Sequence, residues 1–255
     1  MHVFEPMAVL EWEPMSPPTE DLEAHEKQLD DTDCERGVLF PTSTLINMHP
    51  TTMARYGVWI QELTKGNPRF LIAQPVAFPW LPVPIWGDVI MIKPPVGANW
   101  LEAYDFVFAE CARRNIPIAF HTTVSALQTG IPGFWSHHII VHPMSMMQAL
   151  VTLIADGVFS KYPTLRFAFL EGDSWWVNGL LDRIDEHCAG EWKQLTPPCG
   201  PLTREIVTNS CFFTDREIWG SDFPHFDRKV GIMTGIERSN YFFHAKRWLY
   251  GTIDA

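Results

Sequence analysis

Apolar residues fall along this chain in short continuous runs rather than in strict alternation with polar ones. Eight runs carry β-branched or aromatic content: His2–Glu5, Arg36–Thr42, Phe70–Ala77, Asp88–Pro95, Pro117–Thr123, Arg166–Gly172, Asn209–Phe213 and Glu217–Pro224. Continuous runs of this kind suit parallel strands covered on both faces. Between several of them the apolar spacing changes to three and four residues. That spacing predicts helices over Thr19–Asp31, Thr51–Lys65, Trp100–Asn115, Pro143–Phe159, Ser174–Cys188 and Ser239–Tyr250. Pro143 stands where a first helical turn accepts proline. Strands alternating with helices predict an α/β fold, a (β/α)8 TIM barrel forming one domain over residues 1–255, with an open doubly wound sheet as the other arrangement.

Two connections do not fit a complete barrel. Residues 78–87, "FPWLPVPIWG", hold three prolines and cannot form a covering helix. Between the last two runs there is only "TDR", Thr214 to Arg216. A parallel crossover normally takes at least about 10–12 residues with its helix. Either these neighbours are not parallel, or the barrel is incomplete and lacks the helices after strands three and seven.

Composition narrows the partners. The 255 residues include 11 Trp and 17 Phe, enough for a sizeable core. With 19 basic and 30 acidic residues the net charge is −11, and no basic run offsets it, so neither nucleic acid nor an anionic membrane is an expected partner. Cys34, Cys111, Cys188, Cys199 and Cys211 are odd in number, scattered and without a CxxC pair. Neither a disulfide framework nor a cysteine zinc site is implied. The N-terminus carries acidic residues and prolines where a signal peptide needs a basic start and an apolar core. The expectation is a cytoplasmic protein acting on a small molecule.

The strand ends are polar. His2 and Glu5 lie in strand one, Lys93 in strand four, His121 in strand five, Glu171 in strand six, and Asp222 with His225 in strand eight. Imidazole and carboxylate converging from several strands form a ligand set for a divalent metal, beside which a carboxylate can move a proton. Each residue also has a plainer role. His2 could be a terminal residue and His121 a core histidine. Glu171 could open the following helix, since acidic side chains suit a helix N-terminus. Asp222 is hardest to dismiss, because an apolar strand running into Ser-Asp-Phe-Pro-His has no packing motive. In "SHHIIVH" the β-branched residues and the following Pro143 predict an extended loop around His138, with His142 turning toward a pocket. Phe134, Trp135, Trp175 and Trp176 read mainly as core.

Together "HVFEP", "VLFPT", "IAFHTT", the stretch from His142 to His187 and "IWGSDFPHFD" resemble the amidohydrolase-related family of metal-dependent TIM-barrel enzymes, in its aminocarboxymuconate-semialdehyde decarboxylase branch. The resemblance runs in order along nearly the whole chain and is densest from His142 to His187. It implies His2, His121 and Asp222 as ligands of one divalent ion, zinc first and manganese or magnesium otherwise. It implies Asp222 or Glu171 as the proton carrier, with His142 in the pocket. The implied reaction is hydrolysis or non-oxidative decarboxylation of a small carboxylated or aromatic compound.

The family's first ligand lies two residues before the position His2 matches, ahead of Met1. Three remaining ligands and a water still make a catalytic zinc site. The competing expectation is a truncated barrel relic with no intact metal site. Trp and Phe side chains uncovered by absent helices would favour a homodimer.

Overall fold

Seven strands occupy the first seven expected positions: β1 His2–Val3, β2 Gly37–Pro41, β3 Phe70–Pro75, β4 Val89–Ile92, β5 Ile118–His121, β6 Phe167–Leu170 and β7 Cys211–Phe212. The helices are α1 Leu22–Asp31, α2 Pro50–Leu63, α3 Trp100–Arg114, α4 His142–Ala155, α5 Val158–Lys161 and α6 Val177–Ala189. This computed structural model describes residues 2–3, 22–41, 50–76, 84–93, 100–121, 137–173, 175–189, 211–212, 245 and 247–251. The expected eighth strand, with Asp222 and His225, lies outside them. The chain divides into two units, Met1–Ile92 with Trp219–Ser239, and Lys93–Ile218 with Asn240–Ala255.

In the first unit β1, β2, β3 and β4 pair in chain order, all parallel. The β3–β4 neighbours, whose short connection left their direction open, are parallel, with Ala73 opposite Val89. No helix occurs among the described residues between them, and a side chain takes over part of a helix's role. Gln74, 1% exposed, accepts from the Trp86 and Gly87 amides at 2.7 and 3.0 Å and donates to the Pro84 carbonyl at 2.8 Å. Gly87 is required here, since a Cβ would come within 2.6 Å of the Gln74 Cβ. The Ile72 amide in turn donates to the Asp88 carboxylate at 2.9 Å. Gln74→Leu leaves two amides and a carbonyl without this partner, so it is expected to destabilise the chain by about 2–4 kcal/mol. The check is a lower urea midpoint at unchanged slope.

In the second unit β5 pairs with β6 and β6 with β7, again parallel. Its core is aromatic: Phe120 stacks on Phe167 and Phe169 with centroids 6.0 and 5.4 Å apart. Lys161 of α5 reaches Asp105 of α3 at 2.6 Å, and that hydrogen bond holds the Asp105 carboxyl below the usual carboxylate range. Cys111 is a buried free thiol pushed up to about 12 by desolvation, which keeps it protonated and a poor nucleophile.

Two expected elements change here, and Trp175, read as core, is 66% exposed. The helix expected over Pro143–Phe159 stops at Ala155, because Gly157 takes φ 68° and its amide caps the Ile154 carbonyl at 3.1 Å; α5 then starts afresh. The stretch expected as an extended loop around His138 is instead a π-helical turn, His137–Val141, that feeds straight into α4. Pro143 does not force extension before it, because Val141 and His142 already belong to that helical path, where the missing proline amide costs nothing.

Candidate active site

Side chains alternate across a strand, and the β5–β6 register sets His121 opposite Leu170 and Phe120 opposite Phe169. Phe120, Phe167 and Phe169 therefore share one face, and Ala119, His121 and Ala168 the other. The aromatic face meets the helices: Phe167 packs edge-on against Phe108 of α3 and Phe159 of α5, at 6.1 and 5.5 Å. His121 thus leaves the C-terminal end of β5 on the side turned away from the helices, which in a barrel is where chemistry gathers.

Glu171 follows the last residue of β6. A regular strand would send its side chain to the aromatic face, with Phe169. Instead Glu171 has φ 58° and Asp173 φ 54°. The left-handed region costs a non-glycine residue about 1–2 kcal/mol, and such strain clusters where function over-determines the backbone. The turn brings Glu171 Oε1 to 3.2 Å from His121 Nε2. The two meet by distance rather than as an aligned hydrogen bond. The imidazole is 3% exposed and the carboxylate 27%. A sealed imidazole thus lies behind a carboxylate that solvent can still reach.

Neighbouring residues hold this turn. Gly172 lies so close to α4 that a Cβ would collide with the Met146 side chain, and the His142 carbonyl is 3.7 Å from the same point. The Trp176 indole N–H donates to the Gly172 carbonyl at 2.7 Å. Glu171 does not open the next helix, since α6 begins only at Val177. His142 is 2% exposed at the start of α4. Lys93 immediately follows β4, and burial pushes its ammonium below its ordinary value. His2 pairs with Phe40 in the β1–β2 ladder, and its side chain, like all of Asp222, lies outside the described residues. Sequence reading missed Gly172 and the role of Trp176; the signal was a glycine between two acidic residues at a strand end.

The donor chemistry of this pair suits a divalent ion. Two ligand atoms each about 2.1 Å from one ion lie roughly 3.0–3.4 Å apart at ordinary coordination angles, and the observed 3.2 Å falls within that span. Among the described residues no group of three His, Cys, Asp or Glu side chains comes together as a metal site. His121 is therefore a candidate donor whose further partners have to come from outside the described residues, with Glu171 either joining it or standing beside the ion as a proton-moving carboxylate.

The amidohydrolase family model matches residues 90–238, more than half of the chain. No curated protein matches the sequence. Among solved structures, an amidohydrolase from Mycobacterium avium subsp. paratuberculosis K-10 is similar with a TM-score of 0.73 at 16% identity, covering 92% of this chain and 74% of that one. The 5-carboxyvanillate decarboxylase of Novosphingobium aromaticivorans DSM 12444, complexed with manganese and 4-hydroxy-3-methoxy-5-nitrobenzoic acid, gives 0.66 at 16% identity, with 96% and 84% covered. The 2,6-dihydroxybenzoate decarboxylase from Rhizobium gives 0.70 at 14% identity, with 97% and 96% covered. These likenesses establish the fold, the (β/α)8 barrel in incomplete form. Among the described residues no helix is long and apolar enough to cross a membrane.

Proposed function

Because the chain belongs to the amidohydrolase family, we propose that it is a metal-dependent enzyme removing carbon dioxide from a small carboxylated aromatic compound. The observation that carries this reading is the pairing of buried His121 with solvent-reachable Glu171 at the ends of adjacent strands. Further support comes from the decarboxylases among the similar folds, one complexed with manganese and a nitrobenzoic acid. Residues 1–255 are read as one barrel domain. His121 would hold the ion, with His2 and Asp222 completing the set and zinc or manganese as its identity. When bound, a divalent ion supplies Lewis-acid polarisation of a substrate oxygen.

The chain's own groups carry the proton. Glu171, or Asp222 in its place, delivers a proton to the ring carbon that bears the carboxylate. The new C–H bond forms there, the bond to the carboxyl carbon breaks, and its electron pair stays with the ring. Carbon dioxide leaves, and water returns a proton to the carboxylate. His121 beside Glu171 fixes where that carboxylate points. His142 lines the pocket in this reading.

The test is carbon dioxide release from a panel of hydroxybenzoic acids, together with elemental analysis of the purified chain. Asp222→Ala is expected to lose both the ion and turnover. Hydrolysis of amide or ester analogues without carbon dioxide release would move the reaction to the hydrolase class. No ion after reconstitution with zinc and with manganese, and no turnover, would leave the relic as the correct reading.

A further inference from the structure

We infer that Trp176 is a positioning residue, whose indole N–H holds the left-handed turn that aims Glu171 at His121; this rests on the proposed reading of Glu171 as the proton carrier beside His121. Strand parity sets the problem. His121 shares a face with Ala168, opposite Leu170, while Glu171 shares its parity with Phe167 and Phe169. An extended continuation of β6 would carry the carboxylate toward the helices and away from the imidazole. The observed φ of 58° reverses that direction and gives the 3.2 Å contact.

A glutamate does not favour this conformation by itself, so something must hold the peptide that follows it. That peptide belongs to Gly172, and its carbonyl accepts the Trp176 N–H at 2.7 Å. The indole is 3% exposed, so water does not compete freely for the bond. On its other side Gly172 abuts Met146 of α4, where no Cβ fits. The turn is thus wedged from the helix side and tethered from the indole side. Without the tether, the Gly172 peptide can rotate and Glu171 can return to the extended region its side chain prefers.

The experiment removes the N–H and keeps the ring. Trp176→Phe is compared with the parent and with Glu171→Gln, each labelled with 15N-histidine in the 255-residue chain. The expected result is that the His121 Nε2 resonance moves in the same direction in Trp176→Phe as in Glu171→Gln, beside a thermal midpoint lowered by several degrees. Where turnover is measurable, kcat should fall roughly 100-fold with KM nearly unchanged, as a misplacement of about 1 Å does. If Trp176→Phe does not fold, 3-benzothienylalanine at position 176 keeps the indole's shape without the donor and gives the same readout. An unmoved His121 resonance in the folded variant overturns the inference, because a merely structural tryptophan would change stability alone. The resonance does not depend on turnover. A parent without activity therefore counts against the proposed function and leaves the positioning question to be decided by the spectrum.

Discussion

His121→Ala is expected to leave the purified chain without its divalent ion and to cut turnover by roughly 1,000-fold or more, since a bound ion stabilises transition-state charge by several kcal/mol. The imidazole is almost fully buried at the end of β5. Its loss also leaves the Glu171 carboxylate without the ring now 3.2 Å away. His142→Ala is the contrast. His142 forms no three-donor group with His121 and Glu171 among the described residues, so that variant is expected to retain its ion. Elemental analysis of both variants and the parent, after the same reconstitution with zinc or manganese, makes the check. Equal metal in His121→Ala and the parent would remove His121 from the ligand set and with it the centre of the proposed site.

How much of this was readable in the residues depends on which force placed them. The seven described strands lie inside the apolar runs that predict them, because burial on two faces leaves a continuous hydrophobic signature. His121 could be singled out because it ends such a run. Its pairing with Glu171 could not, since strand parity argues for opposite faces and only the left-handed turn reverses it. That turn depends on Trp176 and Met146, contacts that a linear reading files under core packing. Gln74 is a similar case: a glutamine inside an apolar run marks a backbone in need of partners, but not which backbone. The π-helical turn at His137–Val141 ran against local β propensity and was misread for that reason. Asp222, the strand-end carboxylate without a packing motive, lies outside the described residues, so its part in the site rests on that sequence pattern and on the resemblance.

Arg166→Met is expected to cost about 3–5 kcal/mol of stability, since hydrogen bonds to a charged group contribute about 1.5–3 kcal/mol each and the acceptors are left without their donor, and to lower the thermal midpoint by roughly 10 °C. Arg166 precedes β6 and is 9% exposed. Its guanidinium bonds the Trp248 carbonyl at 2.6 Å, the Leu249 carbonyl at 3.2 Å, the Asn115 carbonyl at 3.0 Å and the Asn115 side-chain oxygen at 2.6 Å. All four acceptors lie where helical chain ends. Asn115 follows α3 with φ 59°, and residues 247–250 are closed by Gly251 at φ 89°. The negative ends of two helix dipoles thus take the place of a carboxylate. Burial pushes the guanidinium below its usual value, but it stays charged at every ordinary pH, so the loss in Arg166→Met should not vary with pH. Arg166→Lys should recover less than half, because one ammonium cannot reproduce the planar fork. Glu171 lies five residues further along, roughly 16 Å at strand rise. Turnover measured below the transition should therefore stay close to the parent's. A midpoint within about 2 °C of the parent's, less than 1 kcal/mol for a chain this long, would show that the carbonyls find other partners and that Arg166 does not tie these helix ends together.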